Sequence, residues 1–356
     1  MCIRLFLFVL SACVTVASAQ DISGAPDGAT LPLLAEIPTP PIAVPADGGF
    51  KLVYELHLTN WSGQAISLTS ILIAPHRDST EGFTLQGETL EASLASLNPL
   101  NKQPRRIAPG ERAAVFLFLT VSSLPVEFIH RIRFHGAGRE EELLTAAMPV
   151  RSHELVLRPP LRGGLWLAAN GPDGNTHHRR SSMSYGGRFV VPQRFAIDFV
   201  LLNDMGVTHT GNPRENRSCL CYGKEALAVA DATVIGLKDG IPENIPHSTE
   251  RAAPMGWETV TGNHIVLALG SGRFAVYAHL QPGSLRVKLG DQVKAGDILG
   301  LVGNSGMSTE PHLHFHVSDS VNLGGDGLPF AFDRFLREGR EHKNEIPLRD
   351  WRIDFP

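Results

Sequence analysis

Three histidines at alternating positions place the tightest limit on how this chain can fold. Residues 311–316 read Pro-His-Leu-His-Phe-His, and alternate residues of a β-strand share one face. His312, His314 and His316 therefore point to one side, while the apolar residues between them point to a core on the other. Each buried imidazole nitrogen needs a partner. Because imidazole is the commonest protein ligand for metals, the pattern indicates a metal site, with a histidine-rich sheet edge as the alternative.

The composition indicates a β-rich globular protein that does not bind nucleic acid. The chain has 356 residues, of which 43% are hydrophobic and 19% charged, an ordinary balance for globular proteins. Its formal net charge is −4 and it has no long basic run, which argues against a nucleic-acid partner. The 35 glycines and 25 prolines, among short alternating runs, favour strands joined by tight turns.

The first 19 residues have the pattern of an export signal. Arg4 provides the positive charge, residues 5–16 are apolar, and the small residues 17–19 form a cleavage site. The apolar run is too short to span a membrane, and we expect no transmembrane segment in the mature chain. The predicted location is the periplasm or the extracellular space. Cys13 ends a lipoprotein-like box, so a lipid anchor at this residue is the alternative.

Two segments separate the leader from the histidine-containing half of the chain. Residues 20–49 are rich in proline, alanine and glycine, which predicts an extended, mobile segment. Residues 50–155 contain short alternating runs, beginning with Leu52, Tyr54 and Leu56. Several short strands at this spacing predict an immunoglobulin-like β-sandwich, although no Cys–Trp–Cys framework accompanies them.

The second half of the chain divides at about residue 330. Residues 156–330 contain the histidine strand and further short strands with glycine-rich turns, and we predict one domain built on a β-sheet here. Residues 331–356 form a charged tail. Phe332, Phe335 and Leu336 lie at helical spacing in this tail, which predicts a short terminal helix. The predicted fold class is therefore mainly β, in two domains.

An acidic residue interrupts a run that is otherwise typical of a buried strand. Residues 194–202 read Arg-Phe-Ala-Ile-Asp-Phe-Val-Leu-Leu, and Asp198 lies in the middle. A buried carboxylate needs a compensating cation or strong hydrogen bonds. An ion pair with Arg194 is one interpretation. A metal ion shared with His314 is the other, and it would explain both the buried carboxylate and the row of imidazoles.

Five short motifs together resemble a known enzyme family. They follow one another in order at residues 228–231 (Ala-Val-Ala-Asp), 262–266 (Gly-Asn-His-Ile-Val), 277–280 (Tyr-Ala-His-Leu), 303–306 (Gly-Asn-Ser-Gly) and 311–315 (Pro-His-Leu-His-Phe). The series resembles the lysostaphin and LytM-type zinc metallo-endopeptidases, which cut peptide bonds in bacterial peptidoglycan. The resemblance extends over about residues 170–320. It implies an open antiparallel sheet with a groove over one Zn²⁺ ion per chain.

The resemblance also implies roles for four residues. Asp198 and His314 match two of the family's metal ligands. His279 and His312 match the two histidines that do not bind the metal but act on water and on the tetrahedral intermediate. A catalytic zinc takes three protein ligands and leaves a position for water, so one further ligand is needed.

The third ligand is where this chain departs from the family. The family usually places a histidine four residues before the aspartate, and here that position is Arg194. Arginine cannot coordinate zinc, and we expect it to hydrogen-bond Asp198 from the same strand face instead. We predict that His178 completes the site from a preceding loop, with His177 as the alternative. If neither histidine reaches the metal, Asp198 and His314 are the only two ligands that remain.

The other histidines and the cysteines are not among the predicted catalytic residues or metal ligands. His316 either contacts a ligand or is an edge residue with a water partner. His264 is expected to be structural. One residue separates Cys219 from Cys221, a spacing unsuited to a disulfide or a structural zinc site, and we expect no catalytic role for this pair.

The sequence therefore predicts an exported zinc endopeptidase that acts on peptidoglycan peptides. The sandwich domain precedes the peptidase domain in the chain and is a possible binding site for a protein partner. The alternative is a metal-free LytM-like domain that binds or activates another cell-wall hydrolase. Retention of His279 and His312 favours the enzyme, whereas Arg194 favours the alternative. The metal content of the purified protein separates the two hypotheses.

Overall fold

Strands dominate the computed structural model, which describes residues 32–98, 100–152 and 155–356. The mainly β fold class is confirmed. The predicted leader and Cys13 lie outside the described residues. Within the described residues, no helix is both long and apolar enough to cross a membrane.

The N-terminal part contains twelve strands and one short helix among its described residues. The strands are β1 Leu33–Glu36, β2 Ile42–Ala46, β3 Gly49–Asn60, β4 Ile66–Ala74, β5 Phe83–Gln86, β6 Leu94–Ser96, β7 Arg106–Ile107, β8 Arg112–Val121, β9 Glu127–Gly136, β10 Arg139–Leu144, β11 Met148–Pro149 and β12 Arg151–Ser152, and the helix is α1 Gly87–Ser93.

The C-terminal part adds shorter strands, a one-turn helix and a 3-10 turn. The strands are β13 Val156–Leu157, β14 Leu165–Ala169, β15 Met183–Tyr185, β16 Arg188–Val190, β17 Ile197–Leu202, β18 Glu225–Leu227, β19 Ala232–Lys238, β20 Asn263–Gly270, β21 Arg273–Leu280, β22 Gln292–Val293, β23 Ile298–Leu301, β24 Leu313–Ser318, β25 Gly327–Leu328, β26 Ala331–Arg337, β27 Arg340–Glu345 and β28 Arg352–Asp354. The helices are α2 His177–Arg180 and the 3-10 turn Asn216–Ser218.

The first twelve strands form two six-stranded sheets that share one core. One sheet has the order β12-β2-β3-β8-β6, with β1 also paired to β3, and the other has the order β10-β9-β4-β5, with β7 and β11 at its sides. Tyr54 and Leu117 of the first sheet pack in the same buried cluster as Ile71 and Ile132 of the second. The residues form two packed layers, as a sandwich requires, while the immunoglobulin-like topology stays a prediction.

Strand β3 is buried on both faces, and its second face contacts the C-terminal part. Tyr54 points into the sandwich core, whereas Val53 belongs to the core cluster of the large C-terminal sheet. His57 lies on the same side as Val53, and its ring stands edge-on to Phe189 at 4.2 Å between centroids. The two parts of the chain are therefore packed together along β3, and Pro32–Pro356 form one compact unit.

The third sheet has twelve strands and positions the candidate site. Its order is β13-β26-β28-β14-β17-β24-β21-β20-β19-β22, with β25 beside β24 and β27 beside β26. The strands β20 and β21 pair as a hairpin, one example of the short strands with glycine-rich turns that the sequence predicts in residues 156–330. The strands β17, β24 and β21 are neighbours at the centre, where Leu313 and Phe315 fill the apolar side.

The mobile segment predicted before residue 50 is wrong for residues 32–49. Strands β1 and β2 both pair with β3, and Val44 and Ala46 are fully buried. Asp47 and Gly48 have φ angles of 56° and 69°, which closes a tight hairpin between β2 and β3. The proline-rich composition obscured this Asp-Gly turn signal.

The terminal helix predicted in residues 331–356 is also wrong. This segment forms β26, β27 and β28, and β26 and β28 join the large sheet. Phe332 and Phe335 are both fully buried because both faces of β26 are covered, so a three-residue spacing does not distinguish a helix here. Glu338 and Gly339 have φ angles of 51° and 75°, which makes the two-residue hairpin turn between β26 and β27.

Candidate metal centre

Neighbouring strands bring Asp198 and His314 together. The antiparallel register of β17 and β24 places Asp198 directly opposite His314. Nδ1 of His314 lies 2.9 Å from Oδ1 of Asp198, and both residues are buried. On the other side of β24, the partner of His314 is Ala278, whose small side chain leaves the space above the imidazole open.

His279 reaches the site through an unusual backbone conformation. It follows Ala278 in β21, and regular alternation would turn its ring towards the core that contains Tyr277. Its φ angle is instead 63°, which is a costly conformation for a residue with a Cβ. The ring consequently lies 4.9 Å from that of His312 and 5.7 Å from that of His314.

His178 is supplied by the one-turn helix α2. The Thr176 hydroxyl accepts a hydrogen bond from the Arg179 amide at 3.2 Å and caps the helix. Nε2 of His178 lies 3.4 Å from Oδ2 of Asp198. Asn170 fixes both groups, because its carbonyl oxygen lies 3.0 Å from Nδ1 of His178 and its amide donates to Oδ2 of Asp198 at 3.0 Å.

Backbone carbonyl groups determine which nitrogen of three rings carries the proton. Nδ1 of His178 bonds the Asn170 carbonyl, Nδ1 of His312 bonds that of Glu310 at 2.8 Å, and Nδ1 of His279 bonds that of Ser305 at 2.8 Å. A carbonyl oxygen only accepts, so each Nδ1 must donate. In the neutral form each ring therefore presents an unprotonated Nε2.

Unprotonated nitrogens then face an ionised carboxylate. Nε2 of His178 and Nε2 of His312 lie 3.4 and 3.5 Å from the oxygens of Asp198. Burial lowers the pKa of His178 to about 3. Burial alone would raise the pKa of Asp198, and positive charge on His178, His312 and His314 would hold it well below its usual value; with these rings neutral, that charge has to come from a cation. Lone pairs that face lone pairs in a buried site repel one another unless a cation lies among them, so this donor set fits a metal ion.

His316 contacts the candidate ligand His314. Nδ1 of His316 lies 2.9 Å from Nε2 of His314, and both rings are buried. When Nδ1 of His314 is a metal ligand, its Nε2–H donates to His316 and fixes the ring orientation. Of the two interpretations of His316 from sequence, the contact with a ligand is the one the geometry supports.

The predicted hydrogen bond between Arg194 and Asp198 is wrong. Residues 192–195 form a turn before β17 begins, so the alternation of a strand does not apply to Arg194. Its side chain instead pairs with Glu55 at 2.8 Å and with Asp326 at 2.8 Å, and it donates to the Gly327 carbonyl at 3.1 Å. The cation is directed away from the centre.

His177 stays close enough to be an alternative ligand. The candidate ligand atoms of His177, His178 and Asp198 all lie within 4.8 Å of one another. His177 is exposed, however, whereas His178 is 2% exposed and is held by Asn170. The preformed orientation favours His178.

His264, Cys219 and Cys221 are not among the residues that line the groove around Asp198. His264 is half-buried and bonds the Gly262 carbonyl at 2.9 Å, away from Asp198. Cys219 and Cys221 are free and buried, and burial raises their pKa values to about 11 and about 12. Neither thiol is therefore nucleophilic at neutral pH. Sequence reasoning missed Asn170, because an Asn-Gly pair after a strand signals only a turn.

The centre opens into a groove of about 640 Å³. The candidate histidines of the centre are among its lining residues. Its walls include Trp257, Met307 and Arg251, and Trp257 and Met307 are 58% and 50% exposed. An extended peptide segment fits a groove of this size and mixed polarity.

Comparisons with known proteins agree with this geometry. The family model described as "Peptidase family M23" matches residues 249–323, which include His279, His312 and His314 but not Asp198. The glycyl-glycine endopeptidase ALE-1 of Staphylococcus capitis is 44% identical over 80 residues, covering 21% of this chain and 22% of that protein. The peptidoglycan DD-endopeptidase ShyA of Vibrio cholerae is 39% identical over 73 residues, covering 20% of this chain and 16% of that protein.

The likeness is confined to part of each protein. An uncharacterized metalloprotease of Buchnera aphidicola is 34% identical over 106 residues, covering 30% of this chain and 25% of that protein, so the chain spans about a quarter or less of these curated relatives. The catalytic domain of lysostaphin from Staphylococcus simulans overlaps with a TM-score of 0.25 at 22% identity, over 46% of this chain and 86% of that chain, too loosely to bear on function. Residues 249–323 thus contain a peptidase family M23 domain, and the predicted resemblance to lysostaphin-type endopeptidases is confirmed.

Proposed function

We propose that this protein is an exported zinc endopeptidase that hydrolyses peptide bonds of bacterial peptidoglycan. The observation that carries the proposal is that Nε2 of His178 and Nε2 of His312, both without a proton in the neutral form, lie 3.4 and 3.5 Å from the oxygens of Asp198, which is unfavourable without a cation. Two imidazoles and one carboxylate suit zinc and leave a position open. The relatives named for peptidoglycan and glycyl-glycine endopeptidase activity support the substrate class.

In the proposed site, His178, Asp198 and His314 hold the metal. A zinc ion supplies Lewis-acid polarisation of a carbonyl group and lowers the pKa of water to about 7. His279 and His312 keep Nδ1 bonded to backbone carbonyls, so proton exchange is left to Nε2 of each ring. One such nitrogen accepts the proton from water and returns it to the leaving amine, while the other, after it takes a proton from solvent and becomes an imidazolium, donates to the developing oxyanion.

Metal analysis and peptide cleavage test the proposal together. The purified full chain is expected to contain about one zinc per chain and to cleave cross-linked wall peptides. Asp198→Ala and His314→Ala are each expected to lose the metal and the activity. His264→Ala is the matched control, because it removes a histidine outside the centre and should change neither. Metal-free wild-type protein without activity would refute the enzyme and favour the alternative of a module that binds another wall hydrolase.

A further inference from the structure

A buried carboxylate of the N-terminal sheet holds two arginines of the C-terminal part. Glu55 lies on β3 and is 1% exposed. It forms ion pairs with Arg179 and Arg194, and the Arg194 pair measures 2.8 and 3.2 Å between nitrogen and oxygen atoms. Arg194 also pairs with Asp326 at 2.8 Å. The cluster contains two cations and two anions, so its formal charge is balanced inside the protein.

Both arginines belong to segments that carry candidate metal ligands. Arg179 directly follows His178 in α2, and its guanidinium also donates to the Tyr54 carbonyl of β3 at 2.7 Å. A helix of four residues has too few internal hydrogen bonds to be stable alone, so these contacts set its position. Arg194 lies in the turn that leads into β17, four residues before Asp198.

We propose that Glu55 is a positioning residue of the metal centre, and that the N-terminal sheet is therefore part of the peptidase site. By binding Arg179 and Arg194 at once, Glu55 sets the distance between His178 and Asp198. This inference rests on the proposed metal site. Residues that orient metal ligands without touching the metal typically affect metal affinity by about 10–100-fold, and the same size of effect is expected here.

The test compares Glu55→Gln with Leu58→Ala in the full chain. Leu58 is fully buried on the same strand and packs in the sandwich core, so Leu58→Ala controls for lost stability. Zinc affinity measured by competition with a chelator is expected to fall about 10–100-fold in Glu55→Gln and to stay within a few-fold of wild type in Leu58→Ala. Unchanged affinity in Glu55→Gln, or an equal loss in both variants, would overturn the inference.

A second variant keeps the test decisive if Glu55→Gln does not fold. Glu55→Asp keeps the charge but is one methylene shorter, and amide hydrogen exchange can be measured without any metal. Exchange at α2 is expected to quicken at least tenfold while exchange in β4 and β9 stays unchanged. Equal exchange at α2 in both proteins would overturn the role of Glu55. Absence of zinc binding by the wild type would instead refute the proposed function and leave this measurement valid.

A separate observation concerns the cation in the groove wall. Arg251 lines the groove that contains His279 and His312. Its Nη1 donates to the Ser248 carbonyl at 2.7 Å, while its Nε is buried without a partner. Among the residues that the structure describes, no carboxylate pairs with Arg251, and Asp198 is the only acidic residue in the lining.

We infer that Arg251 determines specificity by binding a carboxylate of the substrate peptide. A carboxylate that pairs with the guanidinium in the groove wall supplies the missing counterion. Hydrogen bonds to charged groups are typically worth about tenfold or more in binding. The inference rests on the proposed peptidase function and names one chemical feature of its substrate.

Two peptides that differ only in a free carboxylate or its carboxamide test this role. Wild type is expected to prefer the carboxylate peptide about tenfold or more in kcat/KM, mainly through KM. Arg251→Gln should abolish the preference, and Arg251→Lys should retain part of it. Equal kcat/KM for both peptides in the wild type, or an unchanged preference in Arg251→Gln, would overturn the inference. If neither peptide is cleaved, the proposed function fails, and titration of both peptides still decides whether the carboxylate is recognised.

Discussion

Replacing Arg194 by histidine would place an imidazole where the lysostaphin-type family has its usual ligand, yet we expect Arg194→His to bind zinc no better than the wild type. The side chain at this position leaves the turn 192–195 towards Glu55 and Asp326. A histidine that kept this direction would point away from Asp198. The substitution also leaves Asp326 without its cation and Glu55 with Arg179 alone.

The structure sets the size of the stability loss. Arg194 is 3% exposed and makes two ion pairs and one hydrogen bond to a backbone carbonyl. Removal of one partner of a buried ion pair costs about 3–5 kcal/mol. Since folded domains are stable by about 5–15 kcal/mol, this is a large fraction of the total. With a urea dependence of about 2–3 kcal/mol per molar, the unfolding midpoint should fall by about 1–2.5 M.

Urea unfolding in the presence of a chelator measures this loss without a metal contribution. Arg217→His is the matched control, because the Arg217 side chain is 83% exposed and pairs with Glu215 at the surface, where ion pairs contribute about 0–1 kcal/mol. Zinc affinity is measured on the same samples. A variant Arg194→His that is as stable as the control, or that binds zinc more tightly than the wild type, would refute the reasoning.

Three further outcomes are expected. His178→Ala should lower zinc affinity more than about 100-fold, whereas His177→Ala should change it only a few-fold, as measured by chelator competition; the reverse order would move the ligand by one residue. His279→Ala and His312→Ala should each keep zinc but lose about two to four orders of magnitude in peptide cleavage, and loss of metal would place them among the ligands. Burial lowers the pKa of His130 to about 4, so the unfolded chain takes up a proton first as the pH falls below about 6.5. Stability should therefore drop by about 2 kcal/mol between pH 7 and pH 5 through this residue, and urea unfolding of His130→Gln should show a correspondingly smaller drop.

Local patterns predicted the centre of the large sheet well. Histidines alternate with apolar residues around His314, a pattern typical of a strand with one apolar face. Asp198 lies in an apolar run, and a buried carboxylate there needs a nearby cation. Asp198 and His314 are 116 positions apart. The sequence nevertheless links them, because a buried carboxylate needs a cation and a buried imidazole needs a partner for each ring nitrogen, and one metal ion satisfies both. The hairpin of β20 and β21 matches the general expectation of short strands joined by glycine-rich turns in residues 156–330.

Contacts between distant residues explain most of what sequence reasoning missed. Arg194 was expected to pair with Asp198, four residues away, but its true partner Glu55 lies 139 residues away. Nothing in the local pattern of β3 marks Glu55 as buried, because charged residues in an alternating strand normally face water. The left-handed conformation of His279 is equally invisible, since the partners of its ring and amide, the carbonyls of Ser305 and Thr261, are distant in the sequence.

On the proposed ligand set, the departure at Arg194 and the ligand role of His178 depend on the same contact. An arginine in the turn before β17 cannot serve as a ligand, but it can bind a carboxylate presented by a neighbouring sheet. Glu55 provides that carboxylate and binds Arg179 as well, which brings α2 against the mouth of the groove with His178 pointing to Asp198. In the proposed site, Arg194 occupies the position of the usual histidine ligand and His178 replaces that ligand. Glu55 of the N-terminal sheet binds Arg194 and also Arg179, the neighbour of His178, so both changes depend on this sheet.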